Sequence, residues 1–410
     1  MAPLRPFPAA AGVGPEASPD SALRPPLTRA SRATMIAGFS VFTLLGYAFG
    51  KWYMHLGWDL GWRTSQFFFN YQDLGFVKRA LVGSLLHPFP ALLRADVFLA
   101  VSVGFVAAFI AAFGMLLVRA AAGFDHRGRW MLVALCASSP ALFLRQGFDL
   151  GRFDVLGLLA VLIAISAIGR GRWWLAGLAS AVALLAHEAY VVINLPLIAA
   201  YAWSSERPEA RSIHALGWLL VPPAAVTSIL ARYGLYEPGL EALTRYFGAA
   251  ARYLAAKGGA VDVDAIAVLT RGMADNLDFV GRMFWEKKAW LHLPIIVGWG
   301  ALMTWFFRRF YSVNELRPGL LFYAAFTPLL LSAIASDYYR WVALAVTNFF
   351  LVILIEAIRL ARRGIAPALP GGALAWVILA SAVLGPISNT KSFPLLFALL
   401  EQLLPGKISW

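Results

Sequence analysis

Two short stretches of the chain each place an aspartate three residues before an arginine. Asp149 precedes Arg152 in RQGFDLGRFD, and Asp337 precedes Arg340 in SDYYRW. Residues at this spacing face the same side of a helix, so each pair can form an ion pair across one turn. Two such pairs offer fixed carboxylates together with guanidinium groups, which bind phosphate oxygens through paired hydrogen bonds. Taken singly, each pair is better explained as a structural ion pair that steadies a helix end.

Further ionisable residues interrupt apolar runs elsewhere in the chain. His187 and Glu188 stand in LLAHEAYVVINLP, within a 32-residue stretch that has no other charge apart from its leading arginine. Neither a second histidine one turn later nor a cysteine cluster accompanies them, so the dipeptide does not match a zinc site. A structural histidine and a substrate-binding histidine are equally compatible with this pattern. The other candidates for substrate binding are Arg145, Asp154 and Lys391.

The segment FFFNYQDLGFVKRALVG, residues 67–83, sets three charged residues among aromatic and aliphatic ones: Asp73, Lys78 and Arg79. Apolar residues between 76 and 85 share one helical stripe, which predicts a helix lying along the membrane surface. Lys78 and Arg79 would then extend towards lipid headgroups, and Asp73 would stand just before the helix, where amide dipoles favour an anion. In the simpler alternative, Asp73 is only a helix cap and the basic pair only anchors lipid.

We expect membrane-spanning helices to hold these residues in place. Of the 410 residues, 60% are hydrophobic and only 14% are charged, and the mean hydropathy is +0.69. So little polar surface cannot coat a water-soluble globule of this size, and the composition predicts an integral membrane protein. Long apolar runs favour an all-α polytopic transmembrane bundle over a barrel. We predict about eleven spans, at 34–56, 95–118, 130–145, 153–169, 173–187, 189–204, 215–231, 289–307, 318–335, 341–359 and 370–387.

The chain divides into a tail and a bundle. Residues 1–33 are rich in proline, alanine and serine, which predicts a disordered cytoplasmic tail before a transmembrane bundle over 34–410. The two longest external loops are predicted at 57–94, which includes the interfacial helix, and at 232–288. The second loop is helical in pattern and contains Tyr246 among basic residues, as expected for stacking on a sugar or for resting on headgroups.

The loops between the predicted spans fall into two sets by charge. One set is rich in arginine and is assigned, with the tail, to the cytoplasm by the positive-inside rule. The candidate residues named above all lie on the opposite side, in the external loops or at the outer ends of the predicted spans. Ionisable groups near hydrocarbon cost several kcal/mol each unless they pair or line a wet cavity, so we predict that they share a cavity facing the periplasm. The arginines of the cytoplasmic set are Arg119, Arg127, Arg129, Arg170, Arg172, Arg207, Arg211, Arg308, Arg309, Arg317, Arg359, Arg362 and Arg363.

Charge, cysteine usage and missing motifs exclude several classes of protein. Orientation and contact with anionic lipid explain the net charge of +13 better than binding to nucleic acid does. The single cysteine, Cys136, can form no intrachain disulfide. There is no GxxxxGK[ST], no GxGxxG after a strand, no GxSxG and no HExxH, so nucleotide hydrolysis, dinucleotide redox chemistry and zinc hydrolysis have no support. We predict no cofactor, although the sequence does not decide whether a divalent metal ion takes part.

This architecture resembles the bacterial polytopic membrane glycosyltransferases of the GT-C type. The resemblance rests on a cytoplasmic N-terminus, about eleven spans and a long first external loop with an acidic residue beside an interfacial helix, here NYQDLGFVKRALVG. It implies transfer of a sugar from a polyprenyl-phosphate donor at the outer face of the inner (plasma) membrane, in cell-surface glycan synthesis. In that family the first-loop carboxylate acts as base or organises the site, and the matching residue here is Asp73. The second acidic residue often found in that loop is missing, since Gln72 and Leu74 flank Asp73.

Other functions imply different features. A second resemblance, to O-antigen and exopolysaccharide polymerases, implies external arginines that hold a polyprenyl pyrophosphate. A transporter would place its charges near the bilayer midplane and usually repeat its spans, and a non-enzymatic assembly protein would not need so many buried carboxylates. The expected partners are therefore a polyprenyl-linked sugar and membrane lipids, with room for other glycan-synthesis membrane proteins and without nucleic acid.

Overall fold

A computed structural model shows how these segments fold. It describes residues 28–53, 60–142, 145–146, 149–205, 207–255, 266–286, 289–385 and 403. Within those residues the protein is 77% helical and contains no strand, so the predicted all-α class is confirmed there. Lys391 and residues 1–27 of the predicted tail lie outside the described residues.

The described ranges form a succession of helices joined mostly by short turns. The α-helices are Arg29–Tyr53, Tyr71–Leu74, Leu81–Leu86, Ala95–Ala121, His126–Ala137, Asp154–Ile168, Trp173–Ala186, Tyr190–Ile193, Leu195–Trp203, Ile213–Tyr233, Gly239–Ala255, Met273–Trp285, Leu293–Val313, Leu320–Ala324, Tyr338–Arg362 and Gly371–Leu384. The 3-10 helices are Gly61–Phe68, Pro90–Leu92, Pro208–Arg211, Ala289–His292 and Thr327–Ala333.

Among the described helices, three are long and apolar enough to cross a membrane. They are Ala95–Ala121, Ile213–Tyr233 and Tyr338–Arg362. Shorter apolar helices accompany them at Asp154–Ile168, Trp173–Ala186, Tyr190–Trp203, Leu320–Ala333 and Gly371–Ser381. These helices are compatible with insertion into a membrane, as the composition requires. The number of eleven spans stays a prediction.

The Tyr338–Arg362 helix forms the centre of the bundle. Of the 18 residues in its most apolar stretch, 89% are buried inside the protein. It packs against the Ala95–Ala121 helix, the Leu293–Val313 helix and the Thr327–Ala333 turn. The middle of this helix is apolar apart from Thr347 and Asn348, whose buried side chains are hydrogen-bonded, so the protein can surround it without burying these polar groups unpaired. Its two ends, by contrast, carry arginines.

Two antiparallel helices bring candidate residues to one end of the bundle. Asp154–Ile168 and Trp173–Ala186 pack together and are joined by a tight turn, so Asp154 at the start of the first helix meets His187 just after the end of the second. The Trp173–Ala186 helix also packs closely on Ile213–Tyr233. Gly177 permits this approach, because a Cβ there would lie 2.0 Å from the carbonyl oxygen of Trp218.

Two predicted boundaries are wrong. The span predicted at 130–145 is helical over His126–Ala137 and ends before Pro140, whose ring and missing amide hydrogen do not allow a helix to continue. The Arg29–Tyr53 helix begins inside the segment 1–33 that we predicted to be a disordered tail. Its first turns contain alanine and arginine, which favour helix once the preceding proline-rich stretch has ended.

The single surface helix predicted between residues 76 and 85 is also wrong. The backbone forms one short helix at Tyr71–Leu74 and a second at Leu81–Leu86, with an irregular stretch between them. Gly75 and Arg79 adopt positive φ angles of 69° and 63°, which a right-handed helix does not contain. Arg79 therefore projects from a loop and not from a helix.

The two predicted external loops contact each other. The amide of Lys78 donates to the carbonyl of Gly234 at 3.0 Å. Phe69 packs edge-on against Phe247, with ring centroids 5.8 Å apart. The second loop is helical at Gly239–Ala255, as its sequence pattern predicts. Residues of both loops can therefore contribute to one site.

Candidate functional site

Arg340 is the centre of a buried ion-pair network. Its Nε and Nη2 donate to the two carboxylate oxygens of Asp154 at 2.8 and 2.6 Å. Its Nη1 donates to Asp337 Oδ2 at 2.9 Å, which is the ion pair that the Asp-x-x-Arg spacing predicts. Arg152 Nη1 donates to the same oxygen at 3.4 Å. His187 Nε2 lies 2.8 Å from Arg340 Nη2, so the imidazole is part of the same network.

Asp149 forms a second centre that is joined to the first. Arg152 Nε lies 3.5 Å from Asp149 Oδ1, so the second predicted Asp-x-x-Arg ion pair is also present. Arg63 Nη2 donates to Asp149 Oδ1 at 3.1 Å. Arg145 Nη2 donates to Asp149 Oδ2 at 3.4 Å and to Asp154 Oδ2 at 2.8 Å, which links the two centres. Asp149 and Asp154 are buried, and each has more than one arginine partner, so both carboxylates are held in place by charge.

The first external loop extends this network. Arg79 donates from Nε and Nη2 to both carboxylate oxygens of Glu188, at distances from 2.6 to 3.1 Å. Glu188 Oε2 in turn lies 3.6 Å from His187 Nδ1. Lys78 also turns inward, and its Nζ donates to the carbonyl of Arg271 at 2.9 Å. The expectation that Lys78 and Arg79 extend towards lipid headgroups is therefore wrong, because each finds an internal partner. Burial lowers the pKa of Lys78, although the nearby Glu188 opposes this effect.

A cavity of about 600 Å³ opens beside the network, and we call it the mixed-charge cavity. Its described lining includes five cationic side chains and two carboxylates. These are Lys78, Arg79, Arg152, Arg271 and Arg340, with Glu188 and Asp337. The rest of the wall is largely apolar and includes Leu230, Phe279 and Trp341. The cavity thus combines an excess of positive charge with a surface suited to hydrocarbon.

Asp73 lies in a separate hydrogen-bonded cluster. Its Oδ2 accepts from Tyr246 Oη at 2.7 Å and from Asn70 Nδ2 at 3.1 Å, and it lies 3.0 Å from His87 Nε2. Asn70 caps the short helix by accepting from the amide of Asp73 at 2.7 Å, so the alternative in which Asp73 is only a helix cap is wrong. Within the described part of the chain, these side-chain partners all use Oδ2, which leaves Oδ1 available. Asp73 does not line the mixed-charge cavity.

The surroundings of Asp73 favour its ionised form. Burial alone would raise the pKa of Asp73, but the hydrogen bonds from Tyr246 and Asn70 and the interaction with His87 outweigh it and place the pKa below its ordinary value. Burial and the hydrogen bond to Asp73 raise the pKa of Tyr246. At neutral pH, Asp73 is therefore a carboxylate that faces a protonated phenol.

The structure brings most of the predicted site residues together. One network and its cavity contain Lys78, Arg79, Arg145, Asp149, Arg152, Asp154, His187, Glu188, Asp337 and Arg340. Asp73 belongs to the neighbouring cluster, and Lys391 lies outside the described residues. The roles of these residues in catalysis and substrate binding stay predictions.

Several participants were not predicted from the sequence. Arg63 contacts Asp149 across 86 residues, and no local spacing indicates such a contact. Arg271 contributes its backbone carbonyl and Asn70 contributes its side-chain amide. Neither group has a distinctive sequence pattern. His87 follows Asp73 by 14 residues, and its position in the same polar loop is the one signal that could have identified it.

The chemistry available at the site is that of anion binding and proton acceptance. Guanidinium groups hold phosphate oxygens, and a carboxylate can accept a proton from a hydroxyl group. In the described ranges, no group of three His, Cys, Asp or Glu side chains converges as a metal site requires.

Comparisons of the chain with protein-family models, with curated proteins and with solved structures find no match in any of the three. The function is therefore argued from the geometry of the site.

Proposed function

We propose that this protein is a membrane glycosyltransferase. It transfers a sugar from a polyprenyl-phosphate-linked donor to an acceptor on the extracytoplasmic face of the membrane, in cell-surface glycan synthesis. The observation that carries the proposal is the mixed-charge cavity, where five cationic side chains meet an apolar wall. A lipid-linked sugar phosphate has the matching parts. Its phosphate suits the guanidinium groups of Arg152 and Arg340, and its prenyl units suit the apolar wall.

Asp73 is the proposed general base. It precedes Lys78 by five residues, so the two Cα atoms are at most about 18 Å apart, a distance that a sugar and its acceptor can span. In the reaction, the acceptor oxygen bonds to the anomeric carbon while the bond from that carbon to the phosphate oxygen breaks. The electron pair of the broken bond stays on the phosphate, and the acceptor proton passes to Asp73. Lys78 and Arg79 offset the charge that develops on the leaving phosphate.

Replacement of the base tests this assignment. Asp73→Asn keeps the size of the side chain, so the variant is expected to stay folded while sugar transfer falls by about 10²–10⁴-fold. The assay follows a labelled sugar from a polyprenyl-phosphate donor with purified protein. Asp96→Asn is the matched control, because Asp96 is exposed and its ion-pair partner is the exposed Arg94. If Asp73→Asn were fully active, the base would have to be sought in the cavity, at Glu188 or Asp337.

Arginine-to-lysine changes test the phosphate contact. Lysine keeps the charge but cannot make the planar contacts of a guanidinium group. Arg152→Lys should therefore lower the rate of transfer, and so should Arg340→Lys, whose guanidinium also holds Asp154 and Asp337. Arg127→Lys, at an exposed position with no cavity contact, serves as the control. Normal turnover by both cavity variants would leave the network with a structural role only.

We also propose that about eleven spans place the site towards the periplasm of a bacterial inner membrane, with the N-terminus in the cytoplasm. The 19 residues from Arg340 to Arg359 cover about 28 Å of helix, close to the thickness of a hydrocarbon core. Cysteine labelling from intact cells, in a Cys136→Ser background, tests the orientation. An impermeant reagent should modify Asp73→Cys and should not modify Arg127→Cys. Labelling at position 127 would overturn the orientation.

A polymerase that uses polyprenyl-pyrophosphate-linked repeats is the second candidate. The observation in its favour is the excess of cations over carboxylates in the cavity lining, five against two, because a pyrophosphate carries more negative charge than a phosphodiester. Parallel assays with monophosphate-linked and pyrophosphate-linked donors distinguish the two enzymes. Turnover of neither donor would favour a transporter or an assembly protein.

A further inference from the structure

A second cavity lies at the other end of the central helix. It has a volume of about 790 Å³, and Arg359 and Arg362 of the Tyr338–Arg362 helix line it. Arg340, near the start of the same helix, lines the mixed-charge cavity. Because an α-helix rises about 1.5 Å per residue, the two cavities lie roughly 28 Å apart along this helix.

The charges in this second cavity are all of one sign. Its described lining contains six arginines and no carboxylate, and we call it the arginine cavity. The arginines come from helix ends and turns in four different parts of the chain. They are Arg119, Arg170, Arg172, Arg207, Arg359 and Arg362.

Few of these charges are neutralised by the protein. Arg359 Nη1 pairs with Glu356 Oε1 at 3.2 Å and is the one arginine of the six with a carboxylate partner among the described residues. Arg207 donates to the carbonyl of Gly169 at 2.9 Å. The side chains of Arg119, Arg172 and Arg362 form no hydrogen bond or ion pair with any described residue. Five positive charges therefore converge on one cavity without a described counter-charge, so an anion that enters the cavity is attracted by several of them at once.

The wall between the arginines is apolar and continuous with the outer surface of the bundle. Leu162, Ile163 and Ile355 line it, together with Met115 of the Ala95–Ala121 helix. Met115 and Ile163 are 53% and 46% exposed, so the wall leads outward onto the face that a membrane would cover. A ligand of this cavity can therefore have an anionic head inside it and hydrocarbon chains along the helices.

We infer that the arginine cavity binds an anionic phospholipid, with its phosphate-bearing headgroup among the arginines and its acyl chains against the apolar wall. Basic pockets between membrane helices hold such headgroups by charge-assisted hydrogen bonds. Orientation of the protein in the membrane requires arginines in the loops, but it does not require that they converge on one cavity. Arg127, Arg308 and Arg317 belong to the same set of loops and do not line the cavity. The inference is independent of the proposed transferase activity.

A charge-matched pair of variants tests the inference. The first carries Arg119→Gln, Arg172→Gln and Arg362→Gln, and the second carries Arg127→Gln, Arg308→Gln and Arg317→Gln at exposed positions outside the cavity. Both lose three positive charges. Native mass spectrometry of the detergent-solubilised protein, titrated with phosphatidylglycerol, counts the bound lipid.

The cavity variant should bind phosphatidylglycerol roughly 100-fold more weakly than the wild type, whereas the control variant should stay within about threefold. Equal losses in both variants would show that only net charge matters and would overturn the proposal. Equal binding of phosphatidylcholine by the wild type would do the same. If the triple variant does not fold, Arg172→Gln alone should weaken binding about fivefold, and an unchanged affinity would count against the site.

A soluble anion is separated from a lipid by competition. Inorganic phosphate and glycerol phosphate share the headgroup chemistry but lack acyl chains. Neither should displace phosphatidylglycerol at concentrations comparable to that of the lipid, because neither contacts the apolar wall. Displacement at equal concentration would assign the cavity to a free anion and would overturn the lipid assignment.

Discussion

The two charged cavities differ in how their arginines are neutralised. In the mixed-charge cavity and its network, Arg340, Arg145 and Arg79 each pair with a carboxylate of the same chain. In the arginine cavity, the side chains of Arg119, Arg172 and Arg362 have no hydrogen-bond or ion-pair partner among the described residues. The first arrangement fixes its arginines before any ligand arrives, and the second leaves them available. A cluster of arginines must therefore be judged by its partners as well as by its size.

The two cavities should also differ in how much the stability of the protein depends on each of their charged residues. Removal of one partner from a buried ion pair leaves an uncompensated charge, whereas removal of an exposed charge changes stability little. The mixed-charge network should therefore depend strongly on each member, and the arginine cavity should not. Arg340→Gln and Arg362→Gln test this difference directly, and two further substitutions, of expected effects between theirs, test the support of Asp154 and of the neighbouring Asp73 cluster.

Arg340→Gln should cause the greatest loss of stability, about 3–5 kcal/mol in the free energy of unfolding. It leaves Asp154 without both of its hydrogen bonds from Arg340 and leaves Asp337 with a weaker partner. Denaturant unfolding in detergent measures the change, and Arg127→Gln is the matched control. A loss no greater than that of the control would mean that the network is not held together by its charges.

Gly157→Ala should destabilise the same network by about 1–3 kcal/mol through overpacking. A Cβ at Gly157 would lie 1.2 Å from Cζ of Tyr190, whose hydroxyl donates to the carbonyl of Asp154 at 2.6 Å. The ring must move, and the backbone that carries Asp154 loses a support. Gly298→Ala, where nothing lies within 4 Å, is the control and should stabilise the protein by about 0.5–1 kcal/mol, because alanine favours a helix more than glycine does. Equal melting temperatures for both variants would show that the ring has room to move.

Tyr246→Phe tests a carboxylate held mainly by neutral donors. The pKa of Asp73 is lowered in the folded protein, so its contribution to stability is present above the ordinary pKa and is lost as the pH falls through the lowered value. Without the phenol that donates to Asp73, this loss of stability should occur at a higher pH. The free energy of unfolding at neutral pH should fall by about 1 kcal/mol or less. Melting temperatures across the acid range measure the shift, with the exposed Tyr323→Phe as the control. Superimposable profiles for the wild type and Tyr246→Phe would contradict the assignment.

Arg362→Gln should have the smallest effect, within about 0.5 kcal/mol in the free energy of unfolding of protein purified free of lipid. The side chain is exposed and has no partner among the described residues. The comparison between the cavities would fail if this variant were as unstable as Arg340→Gln. Unfolding of both variants under identical conditions makes the comparison direct.

Local patterns predicted the helices and the residues at one end of the bundle. The span predicted at 153–169 is the helix Asp154–Ile168, because hydropathy and turn residues act over short distances. The two Asp-x-x-Arg ion pairs followed from spacing alone. These features depend on neighbouring residues, which is why a single sequence reveals them.

Contacts between segments that are distant in the sequence could not be predicted from such local patterns. The break at Arg79 was not predicted, since its positive φ angle accompanies pairing with Glu188, which lies 109 residues away. The arginine cavity was missed for a related reason. The sequence shows that Arg119, Arg207 and Arg359 lie near span ends, but only the packing of the helices shows that they converge.

The backbone at Arg79 is strained, because this non-glycine residue lies in the left-handed region. This backbone conformation costs a non-glycine residue about 1–2 kcal/mol relative to the right-handed region. In this protein it accompanies two hydrogen bonds, from Nε and Nη2 of Arg79 to the carboxylate of Glu188. Separation of Arg79 from Glu188 would allow the backbone to leave the left-handed region, which offsets part of the energy needed to break the ion pair. Exchange of partners at Arg79 is therefore easier than the short, bidentate contact suggests.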